Sequence, residues 1–209
     1  METVAKVIEP CGTEVLGIDL GLKEFLIDSN GNKGSNPRFL KTSLKRLKRL
    51  SRKHSKSKID SNNRDKQKIK LANLHRRVAN QRNDFLHKES FKIANDNQVS
   101  TIVVETLKIK NMVKNRCLSR AISDVSWGKF INYLEYKLYR LGKRLIKIST
   151  FFPSSKTCSN CNNIKQDLQL KDRTYKCDKC ELTIDRDINA AINIKNEGLR
   201  ISTVGITGI

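Results

Sequence analysis

Four of the six cysteines stand in two pairs near the C-terminal end of the chain, and this pattern constrains the fold most. Cys158 and Cys161 are two residues apart, fifteen residues follow, and Cys177 and Cys180 repeat the spacing. Each Cys-x2-Cys turn directs two thiolates at one ion, and two such turns complete a tetrahedral Zn²⁺ site. The spacing therefore predicts a structural zinc, because four thiolates leave no coordination position open for a substrate.

Two disulfides or free thiols are the alternatives to zinc. Stable disulfides are rare in intracellular proteins, and the sequence favours that compartment. Its first residues lack the basic start and apolar stretch of a secretory signal, and no apolar run approaches the ~20 residues that span a bilayer. We therefore expect a cytoplasmic protein, nucleoid-associated if bacterial, with no membrane partner.

Apolar periodicity divides the rest of the chain into strands and helices. The stretches "VLGIDLG" and "KEFLIDSNG" predict a strand hairpin, and leucines at three- and four-residue spacing predict two long antiparallel helices that turn near Ser55–Asn63. "TIVVETL" reads as a strand buried on both faces. A helix over Ser123–Leu141, a strand in "KRLIKIST" and a last helix over Asp187–Asn196 complete an α/β chain.

Positive charge is concentrated in the helical pair. The chain carries a formal net charge of +21, and residues 38–92 hold 19 Lys or Arg against 4 Asp or Glu. A concentrated basic stripe is typical of a polyanion-binding surface, although a solvated helical face would have the same composition. The residues predicted to bind nucleic acid are Lys45, Arg46, Lys48, Arg49, Arg52, Lys53, Arg76, Arg77 and Arg82, with Lys156 in the cysteine segment.

Three carboxylates stand where strands and helices could bring them together. Asp19 lies in the middle of the first predicted strand, Glu105 at the end of the buried strand and Asp187 at the start of the last helix. An unpaired carboxylate in an apolar strand is costly, and a cluster of Mg²⁺ ions with oxygen ligands would remove that cost. An Asp that precedes a helix is more often a cap, so Asp185 or Asp187 could have that role instead.

The motifs together resemble a known family. "GIDLG", "IVVETL", "FFPSSKTCSNC", "YKCDKC" and "DRDINAAINI" stand in the order found in the TnpB (OrfB) proteins of insertion sequences, which are relatives of the type V CRISPR effectors. The resemblance covers nearly everything from Val15 to Leu199. It implies an RNase H-like (RuvC-type) mixed sheet with helices, a basic helical-hairpin insertion and a small zinc ribbon.

The resemblance also implies roles and boundaries. It carries a catalytic Asp-Glu-Asp set onto Asp19, Glu105 and Asp187, with Mg²⁺ or Mn²⁺ as catalytic ions, and full-length members cut DNA under the guidance of an RNA. The segments expected are a RuvC-like core over 1–37, 99–153 and 185–200, a helical hairpin over 38–98, a zinc ribbon over 154–184 and a flexible tail over 201–209.

Two departures from the family pattern have consequences. The family usually has Gly after the second Cys of each pair, where this chain has Asn162 and Glu181, so the turns need a left-handed conformation that Asn tolerates better than Glu. Family members also carry a sizeable N-terminal part that binds guide RNA, and only about fourteen residues precede the first strand here. We therefore expect a fragment, a decayed copy or a chain that works with a separate N-terminal half.

Three functions follow from these features. The first is a Mg²⁺-dependent DNA endonuclease domain that acts by a two-metal mechanism. The second is a catalytically silent, zinc-containing nucleic-acid-binding remnant or regulator, which would be indifferent to Asp19 and Glu105. The third is a strand-exchange transposase that uses the same acids, although no motif in the sequence supplies strand joining.

Overall fold

A five-stranded mixed sheet lies at the centre of the computed structural model, which describes residues 12–169 and 171–204. Its strands, in the order β3-β2-β1-β4-β5, are β1 (Glu14–Leu20), β2 (Glu24–Asp28), β3 (Lys33–Ser35), β4 (Val99–Glu105) and β5 (Arg144–Ile148). β1 pairs antiparallel with β2 and parallel with β4, and β4 pairs parallel with β5. The predicted hairpin and α/β class are thus confirmed, and β3 is a short strand that the sequence pattern did not indicate.

One face of the sheet is covered by α6 (Arg186–Val204). The helix approaches so closely that a Cβ atom at Gly17 would lie 2.1 Å from the carbonyl oxygen of Ala191, and one at Gly198 would lie 2.4 Å from Val103. Both positions therefore require glycine. A small apolar cluster of Val103, Ile148 and Ile194 seals this contact.

The other face packs against α5 (Trp127–Arg140) and α2 (Asn62–Ala94). Because side chains alternate along a strand, Ile18 and Val104 point to this side and join the main core around Phe130. The ring of Phe25 meets that of Phe130 edge to face, with centroids 4.9 Å apart. Trp127 is 3% exposed and belongs to the same core.

The basic segment forms a helical hairpin. α1 (Phe39–Lys56) and α2 are joined by residues 57–61 and pack along an apolar seam that buries Leu47, Leu74 and Val78. The side-chain oxygen of Ser61 caps α2 by accepting a hydrogen bond from the Arg64 backbone N–H. The turn lies where the Ser- and Asn-rich stretch predicted it.

Two helices differ from the prediction. The helix expected over Ser123–Leu141 is divided into α4 (Ser119–Val125) and α5, because Ser126 between them adopts a left-handed conformation with φ 57°. The last helix is longer at both ends than predicted, and Gly198, in the added C-terminal part, lies close to Val103 of β4. Residues 201–204, predicted as tail, are helical, and 205–209 lie outside the described residues.

The remaining elements are short. α3 (Ile109–Met112) follows β4, and the cysteine segment contains one antiparallel pair, β6 (Thr174–Lys176) with β7 (Thr183–Asp185). Tyr175 is fully buried beside Cys158 and Cys177 and forms the small core of this segment. Among the helices described, none combines the length and apolar character needed to cross a membrane.

Candidate metal centres and nucleic-acid surface

The four cysteines form a compact cluster whose sulfur atoms all lie within 4.8 Å of one another. The Sγ atoms of Cys158 and Cys180 are 3.6 Å apart, as are those of Cys161 and Cys177. Disulfide sulfurs would lie about 2.0 Å apart, whereas a tetrahedral Zn²⁺ with Zn–S bonds of about 2.3 Å separates its sulfurs by about 3.8 Å. The cluster therefore fits a zinc ion and not two disulfides.

Backbone geometry in the second cysteine turn supports thiolate ligands. The backbone N–H of Leu182, followed by a side-chain hydrogen bond from Asn160, lowers the pKa of Cys180 to about 6. The backbone N–H groups of Cys180 and Lys179 lower the pKa of Cys177. Zinc binds the thiolate form. The residues after each second cysteine, Asn162 and Glu181, both adopt φ 58°, which is the left-handed conformation expected where the family has glycine.

Asp19 and Glu105 lie side by side at the carboxyl ends of two parallel strands. Ile18 of β1 pairs with Val104 of β4, so the two acids occupy the next position of each strand. Asp19 is one residue from the end of β1 rather than in its middle, because the strand begins at Glu14 and ends at Leu20. Alternation along the strands turns both side chains to the face that α6 covers.

The two aspartates at the start of α6, Asp185 and Asp187, have different roles. Asp185 is the cap: its Oδ1 accepts hydrogen bonds from the backbone N–H groups of Asp187, at 2.9 Å, and Ile188, at 3.4 Å. Its Oδ2 lies 2.7 Å from Nζ of Lys33. Partial burial alone would raise the pKa of Asp185. The hydrogen bond from Lys33 and those from the backbone N–H groups outweigh burial, so the pKa is lowered. Asp187 is thereby left to face the strand ends.

Glu105 and Asp187 influence Asp19 electrostatically. Burial, followed by the negative charges of Glu105 and Asp187, raises the pKa of Asp19 to about 7. Asp19 and Asp187 line a common cavity of about 100 Å³. Burial also raises the pKa of Glu105, against the hydrogen bond that the Ser154 hydroxyl donates to its Oε1. Among the described residues, only the four cysteines form a group whose ligand atoms all lie within 4.8 Å of one another. The carboxylate oxygens of the three acids are therefore farther apart than that.

We call the site of Asp19, Glu105 and Asp187 the acid corner. Two asparagines of α6 connect it to the cysteine segment. Asn189 is fully buried and Asn193 is 2% exposed. The side-chain amide of Asn193 donates to the carbonyl oxygens of Ser154 and Thr157, and that of Asn189 also donates to Thr157. Our sequence reasoning missed these residues and Ser154. The available signal was a pair of amides four residues apart in an otherwise apolar helix.

Most of the predicted basic residues lie on exposed helical surface. A groove of about 650 Å³ runs along α1, and its walls include Lys45, Arg46, Lys48, Arg49, Arg52 and Lys53. Arg76 and Arg77 are exposed on α2. Lys156 lies in the cysteine segment, where its Nζ donates to the Gln166 carbonyl at 3.2 Å.

Arg82 differs from these residues, because its side chain is only 20% exposed and is paired within the protein. Its guanidinium lies 2.7 Å from Oδ1 of Asp124, whose side chain is 8% exposed, and the same carboxylate accepts a hydrogen bond from the Leu40 backbone N–H. Arg82 therefore ties α2 to α4 and to the start of α1. Its position four residues after the seam residue Val78 indicated an inward direction.

The sheet order, the helix across the acid-bearing strand ends and the cysteine segment between β5 and α6 define an RNase H-like fold of the RuvC type with a zinc-ribbon-like insertion. The chain belongs to the OrfB_IS605 family, described as "Probable transposase", whose profile matches residues 4–116. A second profile, "Cas12f1-like, TNB domain", matches residues 127–194.

Curated relatives extend the comparison. The chain is 40% identical over 196 residues to a "Putative RNA-guided DNA endonuclease" of Streptomyces pristinaespiralis, covering 94% of this chain and 48% of the relative. It is 28% identical over 222 residues to the "Putative RNA-guided DNA endonuclease InsQ" of Escherichia coli, covering 98% and 54%. The chain thus spans about half the length of the curated relatives it matches.

A solved structure shares the fold. The one described as "Cryo-EM structure of CRISPR-Cas12f Ternary Complex" superposes with a TM-score of 0.69 at 23% identity, over 93% of this chain and 41% of that chain.

Proposed function

We propose that this chain is the nuclease module of a TnpB-type, transposon-associated RNA-guided DNA endonuclease and hydrolyses phosphodiester bonds with two divalent ions. The observation that carries the proposal is the convergence of Asp19, Glu105 and Asp187 at one corner of an RNase H-like sheet. The relatives named as RNA-guided DNA endonucleases support the same activity.

The acid corner has the donor chemistry of a Mg²⁺ or Mn²⁺ site. Its ligands are carboxylate oxygens, which hard divalent ions prefer, and burial, followed by repulsion from Glu105 and Asp187, already raises the pKa of Asp19. A cation held by Asp19, Glu105 and Asp187 would relieve that repulsion. When bound, the ions supply an activated water and stabilise the leaving oxygen of the phosphodiester.

The chain's own residues hold the other parts of the reaction. Ser154 fixes one oxygen of Glu105 by hydrogen bonding, and Asp185 caps α6 so that Asp187 enters the corner at a constant position. The exposed cations of α1 contact the phosphates of the nucleic acid without reading its bases. DNA is the substrate, and a guide RNA is the partner of a complete enzyme.

A cleavage assay with matched variants tests this proposal. Labelled single-stranded DNA is incubated with the purified chain, with and without Mg²⁺ and with and without candidate guide RNA. We expect cleavage that requires Mg²⁺ and is abolished in Asp19→Ala. Asp84→Ala is the control, since Asp84 is an exposed acid paired with Lys88 on α2, and it should cut like the unmodified chain.

A second candidate is a nucleic-acid-binding protein without catalysis. It is favoured by the wide spacing of the carboxylates and by the engagement of Glu105 with Ser154. In the same assay it predicts that the unmodified chain and Asp19→Ala bind DNA equally and that neither cuts, with or without RNA. That result would refute the nuclease proposal for this chain.

A further inference from the structure

Two neighbouring phenylalanines after β5 have opposite environments. Phe152 is partly buried against the cluster of Val103, Ile148 and Ile194 under α6, whereas Phe151 is 81% exposed. An aromatic ring so exposed gains nothing from the protein core. The ring is therefore accessible to another molecule.

The turn that presents Phe151 is held at several points. The backbone N–H of Phe151 donates to the Ser149 hydroxyl at 3.3 Å, and that of Phe152 donates to the Ser149 carbonyl at 3.2 Å. The Thr150 hydroxyl donates to the Thr106 carbonyl, which follows β4 directly. Because these bonds fix both sides of the turn, the outward direction of the ring is a property of the fold.

A cation accompanies the exposed ring. Nζ of Lys108 lies 4.2 Å from the centroid of the Phe151 ring, within cation–π distance. The ammonium lies over one face of the ring and restrains it, while the side chain as a whole stays 81% exposed. A planar ring next to a cation matches the two parts of a nucleotide, a base with a π face and a phosphate.

The ring lies beside the acid corner. Ile148, at the end of β5, pairs with Glu105, and Ser154, three residues after Phe151, donates a hydrogen bond to Glu105. A strand whose phosphate reaches the acids would pass this turn. The exposed aromatics Phe91 and Tyr139 belong instead to α2 and α5, which pack on the opposite face of the sheet.

We propose that Phe151 and Lys108 form a stacking site for one unpaired base of the nucleic-acid strand that enters the acid corner. The ligand is single-stranded DNA: the base stacks on the Phe151 ring, and Lys108 neutralises the adjoining phosphate. The inference rests on the proposed function only in that this strand is the nuclease substrate. Such stacking tolerates any base, because every base has a π face.

Binding without cleavage tests the site. The full chain is titrated, in buffer free of divalent ions, into short oligothymidylates that each carry one 2-aminopurine at a different position. We expect one position to be quenched on binding. Phe151→Ala should lose that quenching and bind single strands about tenfold more weakly, while its affinity for a duplex of the same length stays unchanged.

Two substitutions separate stacking from apolar contact. Phe151→Trp should keep both affinity and quenching, whereas Phe151→Leu, which retains apolar bulk without a ring, should behave like Phe151→Ala. Tyr139→Ala is the control, because Tyr139 is 85% exposed on α5 and should bind like the unmodified chain. Thermal unfolding of all variants should coincide, since the Phe151 side chain is in water.

Several outcomes would overturn the site. Unchanged affinity in Phe151→Ala, or full affinity in Phe151→Leu, refutes base stacking on the ring. Equal losses for single strands and duplexes also refute it. If quenching depends on Phe151 but the chain never cuts DNA, the stacking site is supported and only the catalytic proposal is refuted.

Discussion

At the scale of single residues, the two cysteine turns carry local strain. Asn162 and Glu181 both adopt φ 58°, a conformation that glycine takes freely and Asn tolerates, but that crowds the Cβ of other residues. Since each follows the second cysteine of its pair, the strain lies beside the sulfur atoms. This strain therefore lowers the stability of the ribbon.

Glycine at position 181 should relieve that strain. Glu181→Gly should stabilise the zinc-bound ribbon by about 1 kcal/mol, after the greater chain entropy of glycine in the unfolded state is subtracted. Asn162→Gly should have a smaller effect. The measurement is zinc retention in competition with a chromogenic chelator, in which Glu181→Gly should hold zinc several-fold more tightly. Weaker retention in Glu181→Gly would contradict this account.

The carboxyl group of Asp19 makes stability depend on pH when no divalent ion is bound. Its pKa is about 7 in the folded protein against an ordinary value of 3.8, so the folded state binds more protons than the unfolded state between those pH values. The free energy of unfolding therefore falls as pH rises through that window and stays low above it. The full effect is at most about 4 kcal/mol.

Asp19→Asn removes this dependence. In buffer free of divalent ions the variant should melt at a higher temperature than the unmodified chain at about pH 8, and the difference should shrink toward about pH 4. Added Mg²⁺ should stabilise the unmodified chain more than the variant, because it replaces the missing proton. Asp84→Asn, on the exposed surface of α2, should show neither effect. A pH-independent difference would refute the raised pKa.

At the scale of elements, α6 connects the acid corner to the zinc ribbon. Its first turn carries Asp187, and two turns later Asn193 donates to the Ser154 and Thr157 carbonyls. Ser154 in turn donates to Glu105. One helix therefore sets the position of Asp187 directly and that of Glu105 through its hydrogen-bonded neighbour.

Asn193→Leu should break this connection. It removes the amide donor of the buried Ser154 carbonyl, while the Thr157 carbonyl keeps the hydrogen bond from Asn189, and this loss should lower the free energy of unfolding by about 2 kcal/mol. Asn196→Leu is the matched control, because Asn196 is exposed on the same helix and should change stability little. Denaturant unfolding with zinc present measures both. Equal stability of the two variants would show that the hydrogen bonds of Asn193 contribute nothing to the stability of the fold.

The elements also show what sequence reasoning could and could not reach. Long periodic segments such as the helical hairpin and the buried strand β4 were predictable, because burial imposes their spacing. The break at Ser126 was not, since its left-handed conformation carries no apolar signal. The choice between Asp185 and Asp187 stayed open for a similar reason. Either Asp can cap a helix, and only the pairing of Asp185 with Lys33, 152 residues away in sequence, decides it.

At the scale of the whole molecule, charge is divided between two regions. The exposed cations of α1 surround a groove, while the acid corner is a small negative site at the end of the sheet. Counting charges along the sequence located the basic region but treated every Arg alike. Burial separates Arg82, which is paired with Asp124, from cations free to contact phosphate.

The groove residues should dominate salt-dependent binding. Replacing Lys45, Arg49 and Arg52 together with Gln should weaken binding to single-stranded DNA of any sequence by about tenfold. It should also reduce the slope of log K against log salt by about 2, since each phosphate contact on a single strand contributes about 0.7. Fluorescence anisotropy at a series of salt concentrations measures both quantities.

Arg82→Gln should change the stability of the fold and not the salt dependence of DNA binding. It removes a cation as the other substitutions do, but it leaves the buried Asp124 carboxylate without its ion-pair partner, so it should lower the melting temperature markedly and leave the salt slope of the folded protein unchanged. If instead Arg82→Gln reduced the slope as much as a groove substitution, Arg82 would reach phosphate and its assignment to the fold would be wrong. Separate responses of slope and stability would establish that this chain uses cations for two physically distinct purposes.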